Sequence, residues 1–195
     1  MPEEWGKRMA SLDFYSVDQE DRKLQNAVNW IVEVIVVLAL AVLLVSWFGF
    51  RVPMNGHSME PVLNAQDVVL ADRLTYQLKA PERLDVIVYQ TGDEEKMSVK
   101  RIIGLPGETV RIRSGRLYLN GEAVELEGQL EEVALAGIAE QEIMLAEDEY
   151  FVLGDNRDSS EDSRFENVGN VKRSQIIGKV WFRISPFVKM GLIHR

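Results

Sequence analysis

"GETVRIRSGRLYLNGEAV", residues 107–124, carries the clearest fold signal in the chain. Alternating apolar and polar segments flank "SGR" and then "NG". A period of two is the mark of a half-buried strand. Asn-Gly supplies the two positive φ angles of a type I′ turn, whose twist matches that of paired strands. Antiparallel hairpins are therefore expected here.

Working outward, the same character recurs. "DVVLA" (67–71), "LDVIVYQ" (84–90), "MSVKRIIG" (97–104), "EYFVLG" (149–154) and "SQIIGKVWFRIS" (174–185) are short, apolar-rich runs with β-branched residues. No helical pattern of crossover length separates them, so a parallel α/β sheet is disfavoured. The expected fold is mainly β, a barrel or sandwich of antiparallel strands. Residues 125–148 are acidic and weakly periodic, and read as a surface insert, part helical.

The N-terminal part is different. "AVNWIVEVIVVLALAVLLVSWFGF", residues 27–50, is long enough to cross a bilayer. Its one charge, Glu33, lies near an end, and Trp30 and Trp47 fall where interfacial aromatics belong. A cleaved signal is disfavoured: the run starts late, is too long, and has no small-x-small site after it. Lys7, Arg8, Arg22 and Lys23 precede the span, whereas only Arg51 follows closely. The positive-inside rule then gives a cytoplasmic tail (1–26), one membrane helix (27–50) and an extracytoplasmic domain (51–195).

The chain has no cysteine and two histidines. Disulfides, thiolate metal sites and Cys nucleophiles are excluded, and a His-rich metal site is disfavoured. No metal or cofactor is expected. A formal charge of -9 disfavours a nucleic-acid surface.

Three stretches bear on chemistry. In "NGHSMEPVL" (55–63), Ser58 follows His57. Neighbours on an extended chain point to opposite faces, so His57 is badly placed to take the Ser58 proton. The other histidine, His194, lies in the terminal tail. The Ser–His–Asp arrangement thus lacks its base, and His57 reads as a solvated loop residue. In "MSVKRIIGLPGETV", Lys100 sits in an apolar strand. Burial lowers a lysine pKa and makes a base of it, although a lysine snorkelling from a sheet edge has the same pattern. "LGDNRDSSEDSRF" (153–165) gathers Asp155, Asp158, Asp162, Arg157 and Arg164. Arg157 breaks a calcium-loop pattern. A loop closed by Asp–Arg pairs and a loop supplying Ser hydroxyls to a site are both open readings.

Taken together, "GHSMEPVL" (56–63), "RLDVIVY" (83–89), "KRIIGLPGE" (100–108) and "GDNRDSSEDSR" (154–164), behind one span, resemble the bacterial type I signal peptidases. These are membrane-bound Ser–Lys proteases. The resemblance runs from the span to about residue 185. The last two boxes are highly specific, and the first is weaker alone. The short length, single span and small insert resemble the Gram-positive form.

The resemblance implies Ser58 as nucleophile, Lys100 as general base and Ser160 as the hydroxyl that orients it. Asp162 and Arg164 match a structural salt bridge near the site, and Asp155 and Arg157 are expected to hold the loop. Met54, Met59, Leu63 and Val99 are implied to line shallow pockets for small side chains. Gly56 stands where some members carry a Ser hydroxyl that helps to bind the oxyanion. The implied substrates are exported preproteins, cut after small-x-small sites to release their signal peptides. Membrane lipid and the export machinery are the implied partners. A non-catalytic, membrane-anchored β domain binding envelope partners is the alternative from another class.

Overall fold

The computed structural model describes residues 22–43, 49–91, 96–124 and 133–193. Most of the expected tail, and His194, lie outside these residues.

Helix α1 spans Arg22–Leu43. At 1.5 Å per residue, its 22 residues reach roughly 33 Å, enough for a hydrocarbon core of about 30 Å. Its apolar side chains are exposed all round, among them Trp30, Ile35, Leu38 and Leu43. A helix apolar on every face is suited to lipid. The expected span ran to Phe50, but Gly49 and Phe50 open a strand instead.

The rest is antiparallel β. In chain order the elements are β1 (Gly49–Pro53), β2 (Val68–Asp72), a short helix α2 (Thr75–Leu78), β3 (Val86–Thr91), β4 (Lys96–Gly104), β5 (Thr109–Arg113), β6 (Arg116–Leu119) and β7 (Glu122–Ala123). After a 3-10 turn at Gly137–Glu140 come β8 (Ile143–Met144), β9 (Glu149–Leu153), β10 (Val171–Lys172), β11 (Ile176–Ser185) and β12 (Gly191–Leu192). The larger sheet has the order β1-β2-β11-β3-β4-β9-β10, with β12 added to β11. The smaller has the order β7-β6-β5-β8.

The hairpins follow the turn chemistry. Arg113 pairs with Arg116 and Leu119 with Glu122, so each loop has two residues. Ser114, Gly115, Asn120 and Gly121 all have positive φ, as type I′ turns require. Strand alternation divides the core. On β3, Val86 and Val88 pack with Met54, Met59, Leu63 and Val99, whereas Ile87 and Tyr89 pack with Ile102, Tyr150 and Val152. A third cluster, with Ile103, Val110, Ile112, Leu117 and Phe151, joins the small sheet to the large one.

The insert is not a surface appendage where it is described. Residues 125–132 lie outside the described residues, but Val133, Ala139 and Leu145 are buried in that third cluster, and β8 pairs with β5. The sequence masks this because the buried positions are spaced by a 3-10 turn and a two-residue strand, too short to set up a period.

Candidate active site

The loop carrying Ser58 leaves β1 and returns to β2. Its base is closed by Met54 N–H donating to Asp67 O (2.8 Å) and Gln66 N–H donating to Met54 O (2.8 Å). Leu63 N–H donates to Met59 O (2.8 Å), giving one helical turn. Met59 and Leu63 are fully buried, so two apolar anchors fix the turn while Ser58, just before Met59, stays partly exposed. The Ser58 N–H donates to no other described residue. His57 is exposed, and its Nδ1 lies 2.8 Å from Glu60 Oε1. It is a solvated loop residue, as its position in the sequence implies.

Lys100 lies on β4, opposite Ile87 of β3, and is 5% exposed. Burial pulls its pKa below the usual lysine value. Asp162 and Glu161 oppose that shift, and Arg164 adds to it. Asp162 is not a partner of the amine. Its oxygens accept from Arg164 Nε (2.8 Å), Arg164 Nη2 (3.0 Å) and Gly154 N–H (3.0 Å). Lys100 is thus a buried amine that forms no ion pair with a carboxylate among the described residues.

The acidic loop follows β9 and is held by buried ion pairs. Arg101, next to Lys100, makes a two-pronged bond to Asp155: Nε to Oδ1 at 2.7 Å and Nη2 to Oδ2 at 2.8 Å. The partner of Asp155 is therefore Arg101 on β4 and not Arg157 in its own loop. Arg157 is buried, and its Nε and Nη1 meet no acceptor among the described residues. Its backbone carbonyl is held instead, by Arg164 Nη2 at 2.7 Å. Asp158 is exposed.

Gly154 is where the pieces meet. Arg101, the residue after Lys100, pairs with Leu153, the residue before Gly154 and the last of β9. A Cβ on Gly154 would collide with Ser160 Oγ and with Ser58 O. Next to it, Asn156 N–H donates to Ser58 O at 3.0 Å. The loop backbone therefore clasps the Ser58 carbonyl. Ser160 is buried, and its Oγ has no hydrogen-bond partner among the described residues. No hydrogen bond joins Ser58 Oγ to Lys100 Nζ.

The chain as a whole is similar to known proteins. A family model described as "Signal peptidase, peptidase S26" matches residues 27–185. The chain belongs to this family. Signal peptidase I from Bacillus caldolyticus is 35% identical over 169 residues, 81% of this chain and 89% of that protein. A Synechocystis protein described as "Probable signal peptidase I-2" is 35% identical over 145 residues, 70% of this chain but only 63% of that protein. A crystal structure of a signal peptidase I from Enterococcus faecalis is 33% identical, with a TM-score of 0.42, over 52% of this chain and 97% of that one.

As a member of the signal peptidase family, the chain is a serine endopeptidase. Of the residues singled out in the sequence, Met54, Met59, Leu63 and Val99 share one buried cluster. Gly56 is exposed, and a side chain there would meet nothing within 4 Å. Two participants are not evident from sequence reasoning. Arg101 reads as the ordinary basic neighbour of Lys100, yet it ties β4 to the acidic loop. Gly154 opens the quoted box, and its role depends on a contact across the sheet. A glycine where a strand gives way to an acidic loop is the one available signal.

Proposed function

We propose that Ser58 is the nucleophile, Lys100 its general base and Ser160 the hydroxyl that orients the amine. The supporting observation is the meeting at Gly154. The Ser58 carbonyl and the Ser160 hydroxyl, which has no hydrogen-bond partner among the described residues, lie against it, and the buried Lys100 directly precedes Arg101, which pairs with Leu153, the residue before it. A buried hydroxyl without a partner is costly unless something uses it, and the Lys100 amine is the group it serves.

Neutral Lys100 accepts the Ser58 Oγ proton as Oγ bonds to the substrate carbonyl carbon. The free Ser58 N–H donates to the oxyanion that forms. The tetrahedral intermediate collapses, and the C–N bond breaks. The leaving amine takes the proton back from Lys100, leaving an acyl-enzyme. Water then attacks, with Lys100 accepting its proton, and the acid product leaves as Ser58 regains its own.

The activity is removal of signal peptides from preproteins. Specificity for small side chains at the first and third positions before the cut is assigned to shallow pockets beside Met54, Gly56, Met59, Leu63 and Val99. The substrate pairs as an added strand along 54–58 and 97–100. Helix α1 fits a membrane anchor. We further assign the anchor to the bacterial cell membrane, with the tail inside and the β domain outside. Lipid and the export machinery are its partners there.

The test is cleavage of a preprotein with Ala at both pocket positions. Wild type should cut, with or without a chelator, and folded Ser58→Ala and Lys100→Ala should not. Cleavage by Lys100→Ala would overturn the dyad. A folded but inactive wild type would favour the binding-domain alternative.

A further inference from the structure

We infer that Leu135–Ile138, in the insert between β7 and β8, is a positioning element for the catalytic loop, acting through Arg164. The inference rests on the Ser58–Lys100 reading above.

The contacts form a continuous chain. Arg164 Nη1 donates to Leu135 O at 3.0 Å, and Ile138 N–H donates to Arg164 O at 2.9 Å. The segment therefore grips Arg164 at both its guanidinium and its carbonyl. Gly137 lies between these two contacts. Its φ is +56°, and a Cβ there would overlap the Arg164 carbonyl. Only glycine satisfies both the conformation and the approach. Arg164 passes the constraint on. It holds both oxygens of Asp162 and the carbonyls of Arg157 and Ser160, at 2.7 and 3.3 Å. Asp162 in turn receives the Gly154 N–H, and Gly154 packs on Ser58 O and Ser160 Oγ. Every step is a direct contact, running from the solvent-facing Leu135 and Gly137 inward to Arg164, Asp162, Gly154 and Ser160, which are buried. The inner part of the chain has little slack, because protein interiors are close-packed.

The simpler possibility is that this segment only completes the small core. The two roles differ at Gly137. Val133, Ala139 and Leu145 do the filling, whereas Gly137 has no side chain to contribute and touches the loop. Gly121 is the matching control. It has positive φ in the same small sheet, with nothing within 4 Å of an added Cβ.

The experiment uses the full chain in detergent micelles and a preprotein with Ala at both pocket positions. Gly137→Ala should lower kcat at least tenfold and leave KM within twofold. It should also move the rising pH limb of kcat upward, since a displaced loop lets water reach Lys100. Gly121→Ala should leave all three within twofold of wild type. Ile138→Pro deletes the donor to Arg164 O and should reproduce Gly137→Ala. It carries the test if the alanine variant gives no folded protein. Gly137→Ala combined with Arg164→Lys should be no slower than the worse single variant, because both break one contact chain. The inference is overturned if Gly137→Ala and Ile138→Pro behave like Gly121→Ala, or if the double variant multiplies the two losses. Lys100→Ala in the same assay separates the two ideas. Cleavage that survives it overturns the dyad and this inference together. A dead Lys100→Ala beside a fully active Gly137→Ala overturns this inference alone.

Discussion

At the scale of single residues, Lys100, the proposed base, sets the expected pH behaviour. Folding lowers its pKa below the ordinary 10.5, so the unfolded chain holds a proton that the folded one gives up. That costs stability below the folded pKa. The cost shrinks as pH rises through it and vanishes above 10.5. Lys100→Met should therefore abolish cleavage yet raise Tm at neutral pH, with the gain fading in alkaline buffers. A flat difference across pH would contradict this. Wild-type kcat should climb with pH along a single limb lying below 10.5. Gly56 offers a gain instead of a loss. Open space surrounds it, so Gly56→Ser adds a hydroxyl without collision. Oxyanion donors are worth about a hundredfold in settled sites, and a grafted one should raise kcat about tenfold with KM unchanged. No change in kcat would mean that position 56 does not face the oxyanion. Ser58 and Lys100 are singled out in the sequence by the resemblance of their boxes to a known family, since spacing alone leaves Lys100 open between a buried base and a snorkelling lysine. Gly154 is not, because its importance lies in what a Cβ would strike.

At the scale of elements, the β4–loop junction carries the site. Arg101 and Asp155 are both almost fully buried, with a bidentate bond between them. Arg101→Met would strand Asp155 without its main partner, at a cost of about 3–5 kcal/mol. Denaturant unfolding should show that loss, together with a fall in kcat, because Lys100 is the next residue. Gly154→Ala should be inactive in the same cleavage assay even where it folds, since the collision falls on Ser58 and Ser160. Normal turnover by this variant would remove Gly154 from the site. The hairpins from β5 to β7 are predictable because two-residue turns impose local rules on their flanks. The short β8, β10 and β12 escape notice, since two residues carry no period and only their neighbours make them strands.

At the scale of the whole molecule, α1 and the β domain divide the work. The anchor raises the effective concentration of enzyme for substrates held in the same bilayer. Removing residues 1–47 should therefore leave turnover of a soluble peptide within twofold. Processing of a membrane-inserted preprotein in vesicles should drop at least tenfold. Equal loss on both substrates would mean that the helix supports folding of the catalytic unit instead.

The sheet order has a further consequence, in time. Ser58 hangs from β1 and β2, Lys100 stands on β4 beside β3, and β11 is the strand that joins the two pairs. Yet β11 begins at Ile176, more than a hundred residues after Ser58 in the order of synthesis. A growing chain can close the local hairpin β5–β6 as soon as it emerges. It cannot bring the proposed nucleophile and base into one sheet until β11 has been made. A nascent chain that stops short of Ile176 is therefore expected to be inert, with both side chains present and no sheet to join them.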